Sequence, residues 1–402
     1  RRVRLGQSLQ ERPLLLTKNV SATCWALPAG QYPTAGLQNK AGQPREKPTE
    51  ETQMKLKLTT VATTLTALFI SSTVSFAQTT GTVAFLMPDQ GSTRYDEHDW
   101  PGFKAEMELL CPDCTAIYQN ANNDVALQQQ QFNSVIAQGA TVVVLDPVDS
   151  GAAAAMVELG QAQGIKIVAY DRPIPDRAPD FYVSFDNEGI GYAIAQSLIE
   201  HLRITGVSPE GVGVLQVNGS PTDAAAGLIA DGSRRAVEES EFEHLAEFDT
   251  PGWAPPKAQE WVAGQITRFG DQIVGVVAAN DGTGGGSVAA FKAAGVDPVP
   301  PVTGNDAEIA ALQLIIAGDQ FNTISKPSEI VGAAAANIAF TFLNGGTPEA
   351  TTTLYDAPSQ LFVPAVVTRG NLKEIVIDTG IVTAEQLCTN DFAAYCAELG
   401  IE

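Results

Sequence analysis

Histidine is nearly absent from this 402-residue chain, with three in all, and basic residues are outnumbered, 24 Lys and Arg against 46 Asp and Glu, for a formal net charge of −22. So few imidazoles leave little with which to build a zinc centre or a histidine-based acid–base relay. The surplus of negative charge repels phosphate backbones and anionic lipid surfaces, which argues against a nucleic-acid partner and leaves a neutral ligand unaffected. A complete Gly-x-Gly-x-x-Gly fingerprint after a strand is also missing. Gly189-Ile190-Gly191 supplies only its beginning, and the run from Gly282 to Gly286 lacks the Lys-Ser/Thr ending of a phosphate loop.

What is present begins at Met54, with Lys55 and Lys57, an apolar stretch from Leu65 to Val74, and the small residues Ser75 and Ala77 on either side of Phe76. A basic start, a short apolar centre and a small-x-small end predict a secretory signal over residues 54–77, cleaved between Ala77 and Gln78. The apolar centre is too short and too rich in Thr and Ser for the ~20 residues of a membrane span. No cysteine stands at the cleavage point, so a freely diffusing protein of a Gram-negative periplasm is expected. Residues 1–53, rich in Gln, Pro and Arg, read as upstream translated sequence or a poorly ordered extension and are left out of the fold. Residues 1–77 carry ten of the basic and four of the acidic side chains, so 14 basic stand against 42 acidic in the remainder, a net charge near −28.

Cys24 falls in the extension, leaving Cys111, Cys114, Cys388 and Cys396. Four cysteines permit three pairings, and export makes pairing expected. Cys111 with Cys114 and Cys388 with Cys396 are favoured because both loops close locally. A thioredoxin-like Cys111-Pro112-Asp113-Cys114 and a zinc site are the rivals, and neither has partner residues to strengthen it. No metal and no cofactor are expected.

Beyond the signal, Val- and Ile-rich strands alternate with amphipathic helices. Strands are predicted at residues 82–87, 116–120, 141–146 and 166–171, with helices at 100–110, 124–138 and 152–163 between them. The pattern restarts with helices at 190–203, 222–238, 257–268, 285–294 and 307–317 and strands at 211–218, 243–248, 273–278, 302–305 and 321–326. Two α/β units of this size predict two doubly wound parallel sheets with a cleft between them.

Ligands of open parallel sheets bind beyond the carboxyl ends of strands. Polar residues gather there: Asp89 and Arg94 after the first strand, Asp146, Asp171-Arg172, Asn218, Asn280-Asp281 and Asp306 after others. Any one Asp could simply cap the next helix, and Arg172 could pair with its neighbour Asp171. As a set, carboxylates, carboxamides, guanidinium groups and aromatics without a nucleophile suit a sugar, whose hydroxyls both donate and accept and whose C–H faces stack on rings.

The segments Arg94-Tyr95, Tyr170-Asp171-Arg172-Pro173-Ile174, Phe181-Tyr182-Val183-Ser184-Phe185-Asp186-Asn187, Gly219-Ser220-Pro221-Thr222-Asp223, Gly252-Trp253, Ala279-Asn280-Asp281, Gly304-Asn305-Asp306-Ala307 and Lys326-Pro327 together resemble the xylose-binding members of the type I periplasmic binding proteins, along nearly the full length after the signal. The resemblance implies two α/β domains, residues 79–184 plus 327–363 and 185–326 plus 364–402, joined by a three-stranded hinge near 184–187, 325–327 and 361–364. It implies a sugar hydrogen-bonded by Arg94, Asp171, Arg172, Asn280, Asp306 and Lys326, with Asp223 at the site and Tyr95 and Trp253 stacked on the ring. After Asp223 the family pattern has paired Asn, where this chain has Ala224 and Ala225, so a polar contact of the pattern is absent.

The function so implied is capture of a monosaccharide, D-xylose first and glucose or another aldose after it, by a monomeric carrier that serves an ABC permease and ATPase. A chemoreceptor is a further partner that the resemblance allows. Two other readings stay open on the residues alone: a sensor presenting sugar to a chemoreceptor or kinase, and a nicotinamide-dependent oxidoreductase acting on a sugar, since doubly wound folds host both.

Overall fold

In the computed structural model the described residues are 79–90 and 92–401. The expected extension and signal segment lie outside them.

The first lobe is laid down by β1 (Thr82–Met87), α1 (Trp100–Leu110), β2 (Thr115–Asn120), α2 (Val125–Ala137), β3 (Ala140–Leu145), α3 (Ala153–Ala162), β4 (Lys166–Tyr170) and β5 (Phe181–Phe185). Its strands read as continuous apolar runs because both faces are covered. Val83, Phe85 and Met87 enter one apolar cluster while Ala84 and Leu86 enter another, and Val142/Val144 against Val143/Leu145 repeat the alternation.

The chain then crosses to the second lobe: α4 (Asn187–Ile204), β6 (Gly213–Asn218), α5 (Ala224–Glu238), β7 (Glu243–Asp249), α6 (Pro255–Phe269), β8 (Ile273–Ala278), α7 (Asp281–Ala293), α8 (Ile309–Ala317) and β9 (Asn322–Ser325). It returns to the first lobe with α9 (Ser328–Leu343), β10 (Thr352–Leu354) and β11 (Ala357–Phe362), and crosses once more into β12 (Ala365–Thr368). The first sheet has the order β2-β1-β3-β4-β5-β11-β10, parallel except for the terminal β10. In the second, β7-β6-β8 are parallel. A single bridge from Val276 to Val302 and the bond from Phe321 N–H to the Val302 carbonyl carry that layer on to β9 and its antiparallel partner β12.

The α4–α5 contact beneath the cleft depends on missing side chains. A Cβ at Gly191 would lie 1.9 Å from the Ile229 carbonyl oxygen, and one at Gly232 would lie 2.1 Å from that of Glu188. The residues after β12 pack Leu372, Val376, Val382, Leu387 and Ile401 onto Leu312, Ile315 and Ile316 of α8. The sulfurs of Cys111 and Cys114 stand 2.00 Å apart and those of Cys388 and Cys396 2.08 Å apart, bonding distance in both locally closed pairs.

Several sequence expectations are corrected. Residues 302–305 make one bridge rather than a full strand. The glycine run 282–286 is the first turn and a half of α7, capped by Asn280 and Thr283, and not a loop. Gly284 and Gly286 serve packing: a Cβ would sit 2.6 Å from the Thr303 carbonyl oxygen at the first and 2.5 Å from that of Pro255 at the second. Likewise Gly189-Ile190-Gly191 lies inside α4. The helix Ser328–Leu343 and the last three strands had no strong periodic signal and were not anticipated.

Candidate functional site

The cavity lies where the carboxyl ends of both sheets meet. β1 delivers Asp89, Ser92, Arg94 and Tyr95; β4 delivers Asp171 and Arg172; β5 leads into Asn187. From the second lobe, β6 leads to Asp223 and to Ala225 and Ile229 on α5, β7 to Trp253, β8 to Asn280, the Val302 segment to Asn305 and Asp306, and β9 to Lys326. These residues surround about 500 Å³ of empty space, its mouth to solvent included.

All nine residues expected at the site line this one cavity. Asp171, Trp253 and Asp306 hold left-handed backbone, with φ of 55°, 56° and 109°, a region non-glycine residues occupy at a cost and chiefly at functional positions. Asp171 is kept there by its own carbonyl, which accepts from the Tyr182 hydroxyl at 2.8 Å and the Ser184 hydroxyl at 2.9 Å.

Two buried guanidinium groups organise the first-lobe wall. Arg94 bonds Asp99 at 3.1 Å and Asp171 more closely, and reaches to 4.0 Å from Asp306 across the cleft. Burial alone would lower the Arg94 pKa, but Asp171 and Asp99 outweigh it and hold the group firmly charged. Arg172 does not pair with its neighbour Asp171. It donates to Asp89 at 2.9 Å and to the Pro147 carbonyl at 3.1 Å, faces Asp146 at 3.6 Å, and meets Asp223 of the other lobe at 3.2 Å.

The carboxylates respond unequally to this field. Burial pushes Asp171 up, yet Arg94, Lys326 and Arg172 together bring it below the ordinary carboxylate value. Asp146 and Asp223 are pushed above it, because burial exceeds what Arg172 returns. Lys326 closes the array with a 2.7 Å ion pair to Asp306.

The rings are fixed as well. The Trp253 indole N–H donates to Asp223 at 3.0 Å, and its six-membered ring lies so close over Gly219 that a Cβ there would be 2.1 Å away. Tyr95 is buried, with its hydroxyl 3.3 Å from Arg172 and its ring beneath Arg94.

Sequence reasoning missed Asn305, Asn187 and Ser92 as lining residues. Asn305 is 2 % exposed and its Oδ1 has no hydrogen-bond partner among the described residues. Its signal was available, since it stands directly before Asp306 in the segment Gly304-Asn305-Asp306-Ala307. In the other direction, Asp281 and Asn218, polar residues at strand ends, are absent from the lining. Asp281 accepts from Thr323, Gln320 and the Glu308 N–H, and Asn218 joins Gln216 to Asp249. Both hold loops together behind the cavity.

Comparison with known proteins places this geometry. Residues 83–347 match the family described as periplasmic binding protein domain. The D-xylose-binding periplasmic protein of Escherichia coli is 34 % identical over 277 residues, 67 % of this chain and 82 % of that protein. The multiple sugar-binding periplasmic receptor ChvE of Rhizobium radiobacter is 27 % identical over 83 % of this chain and 99 % of its own length. Among solved structures, an ABC transporter solute-binding protein of Clostridium phytofermentans with bound β-D-glucose aligns with a TM-score of 0.70 at 25 % identity, covering 76 % of this chain and 99 % of that one. These relatives are sugar-binding proteins and not enzymes, which removes support from the oxidoreductase reading. The chain belongs to the periplasmic binding protein family, with the type I fold, as a sugar-binding member of the group that contains the D-xylose-binding periplasmic proteins.

Proposed function

We propose that this chain captures a monosaccharide, D-xylose first among them, in the cavity between its lobes and hands it to an ABC importer from the periplasm, to which a cleaved signal over residues 54–77 delivers it. The observation that carries the reading is the Asn305 carboxamide. It is a buried acceptor without a partner among the described residues, in a cleft also lined by Arg94, Asp171, Arg172, Asn280, Asp306 and Lys326. A buried acceptor left unmade costs about 1–3 kcal/mol, which a ligand hydroxyl recovers. Tyr95 and Trp253 offer apolar faces for the C–H surfaces of a pyranose, and Asp223 holds Trp253 in place.

The two lobes, residues 79–184 plus 327–363 and 185–326 plus 364–402, swing on the three crossings between them. Ser150 N–H to the Thr222 carbonyl at 2.9 Å and the Ser92 hydroxyl to Glu308 at 2.9 Å join the two lobes across the cleft. A ligand touching both walls selects that arrangement. The carrier acts as a monomer with both cysteine pairs oxidised.

Calorimetric titration with D-xylose, D-glucose, D-galactose, L-arabinose and D-ribose tests the reading. Saturable binding led by D-xylose is expected, and absence of heat with every sugar would overturn it. A second use that the family likeness allows is presentation of the loaded form to a chemoreceptor. Chemotaxis toward xylose that disappears on deletion of this chain but survives deletion of the permease would establish that use.

A further inference from the structure

One wall of the cavity differs in kind from the rest. Ala225 and Ile229, four residues apart on α5, present adjacent hydrocarbon to the cavity, 5 % and 3 % exposed. The helix end beside them offers a ligand little. Asp223 Oδ1 takes the Ala225 N–H at 2.8 Å, Ser150 Oγ takes that of Ala224 at 3.1 Å, and Asp223 Oδ2 is held by Trp253 and Arg172. A hydroxyl pressed against this wall loses water and finds no partner.

In an aldopyranose, the ring carbons C1 to C4 all carry oxygen substituents. C5 alone carries no hydroxyl of its own: it is a methylene in a pentose, bears a methyl in a 6-deoxyhexose and a hydroxymethyl in a hexose. We propose that the Ala225–Ile229 wall receives the C5 edge of the ring and selects sugars in which that edge is hydrocarbon. Pentopyranoses and 6-deoxyhexoses share this chemistry, and the O6 hydroxyl of an ordinary hexose is what the wall disfavours. This rests on the monosaccharide-carrier reading and specifies its substrate class.

The test compares D-glucose with 6-deoxy-D-glucose, which differ only at O6, with D-xylose as the third arm. The wild-type chain binds 6-deoxyglucose at least threefold more tightly than glucose, as an O6 hydroxyl stripped of water without a partner requires. D-xylose binding tighter than 6-deoxyglucose marks the methylene as the preferred edge, and the reverse order marks the methyl. The variants A225S and I229T, which each place one hydroxyl on the wall, shift the glucose to 6-deoxyglucose affinity ratio three- to tenfold toward glucose.

Anything less, equal affinity and a preference for glucose included, overturns the proposal, because O6 then meets no penalty at the wall. Equal loss of all three sugars in both variants, with the ratios unchanged, also overturns it, because the wall then meets a part of the ring common to all. Failure of every sugar to bind the wild type is a different result: it removes the carrier reading itself.

Discussion

On the first lobe the cavity is walled by guanidinium groups locked into carboxylates, Arg94 with Asp99 and Asp171 and Arg172 with Asp89 and Asp146. On the second it is walled by carboxamides and hydrocarbon, Asn280, Asn305, Ala225 and Ile229, alongside Asp223 and Asp306, which reach across to the two arginines, and Lys326, which pairs with Asp306. The charged wall resists change, because each of its two guanidinium groups is shared by three carboxylates. The neutral wall carries an unmade bond and an apolar strip, and so has more freedom to discriminate among ligands. Buried ion networks are costly to break from one side. Loss of a neutral contact costs less.

Removing Arg172 breaks this contrast most severely. Arg172→Met leaves Asp146 and Asp223 buried without their shared cation, and a loss of about 3–5 kcal/mol in unfolding free energy is expected at neutral pH. Both carboxyls are already held above their ordinary values by burial. With the guanidinium gone they protonate more readily still, so the deficit shrinks as the solution is acidified. Urea denaturation at pH 7.5 and pH 5 measures it, and a loss under about 1 kcal/mol at both would show that the wall does not depend on its charge balance.

Asp171→Ala comes next, read on ligand affinity rather than stability. It removes a carboxylate that both holds Arg94 and faces the cavity. A ten- to hundredfold weaker Kd for D-xylose is expected, about 1.4–2.8 kcal/mol. Its pH signature is opposite to that of Asp146: the Asp171 pKa is depressed, so its stabilising contribution is complete above the ordinary carboxylate value and is lost as pH falls through the depressed one. Asn305→Ala, on the neutral wall, should weaken xylose binding only three- to tenfold and should not lower the unfolding free energy of the sugar-free protein, since no protein partner is lost and an unpaired buried acceptor is removed. Equal effects of Asp171→Ala and Asn305→Ala on both measurements would erase the distinction between the walls.

The charged wall was the more legible one in the sequence. Arg94, Asp171 and Arg172 announce themselves as ionic residues beyond apolar strands, where a parallel sheet places its ligand. The partners they choose were not legible. Arg172 takes Asp89, Asp146 and Asp223, from 83, 26 and 51 residues away, rather than adjacent Asp171, because the left-handed turn at Asp171 gives the two side chains different surroundings. The neutral wall was half hidden. Asn305 reads as one more loop carboxamide, and Ile229 as one more core residue of an amphipathic helix, until the fold brings both to the same space. The helix Ser328–Leu343 escaped notice for a related reason: its composition is dominated by alanine and apolar residues, so its faces differ little and give no strong period.

The smallest effect concerns the seam where the walls touch. Glu308 accepts from the Ser92 hydroxyl across the cleft, and its own N–H is taken by Asp281. Burial first and Asp306 second raise its pKa, with Arg94 opposing them weakly. A carboxyl raised on folding gives stability that is fully present below the unfolded value, about 4.3 for Glu. That stability is lost as pH climbs through the raised folded value. Glu308→Gln keeps an oxygen for Ser92, removes the charge beside Asp306, and does not titrate. The variant should therefore match the parent near pH 4 and exceed it by about 0.5–1 kcal/mol at pH 7.5, roughly 1–3 °C in Tm. Thermal unfolding followed across that range decides the point. A parent more stable than the variant at pH 7.5 would mean that the Glu308 charge holds the cleft shut, and the seam would then belong with the charged wall.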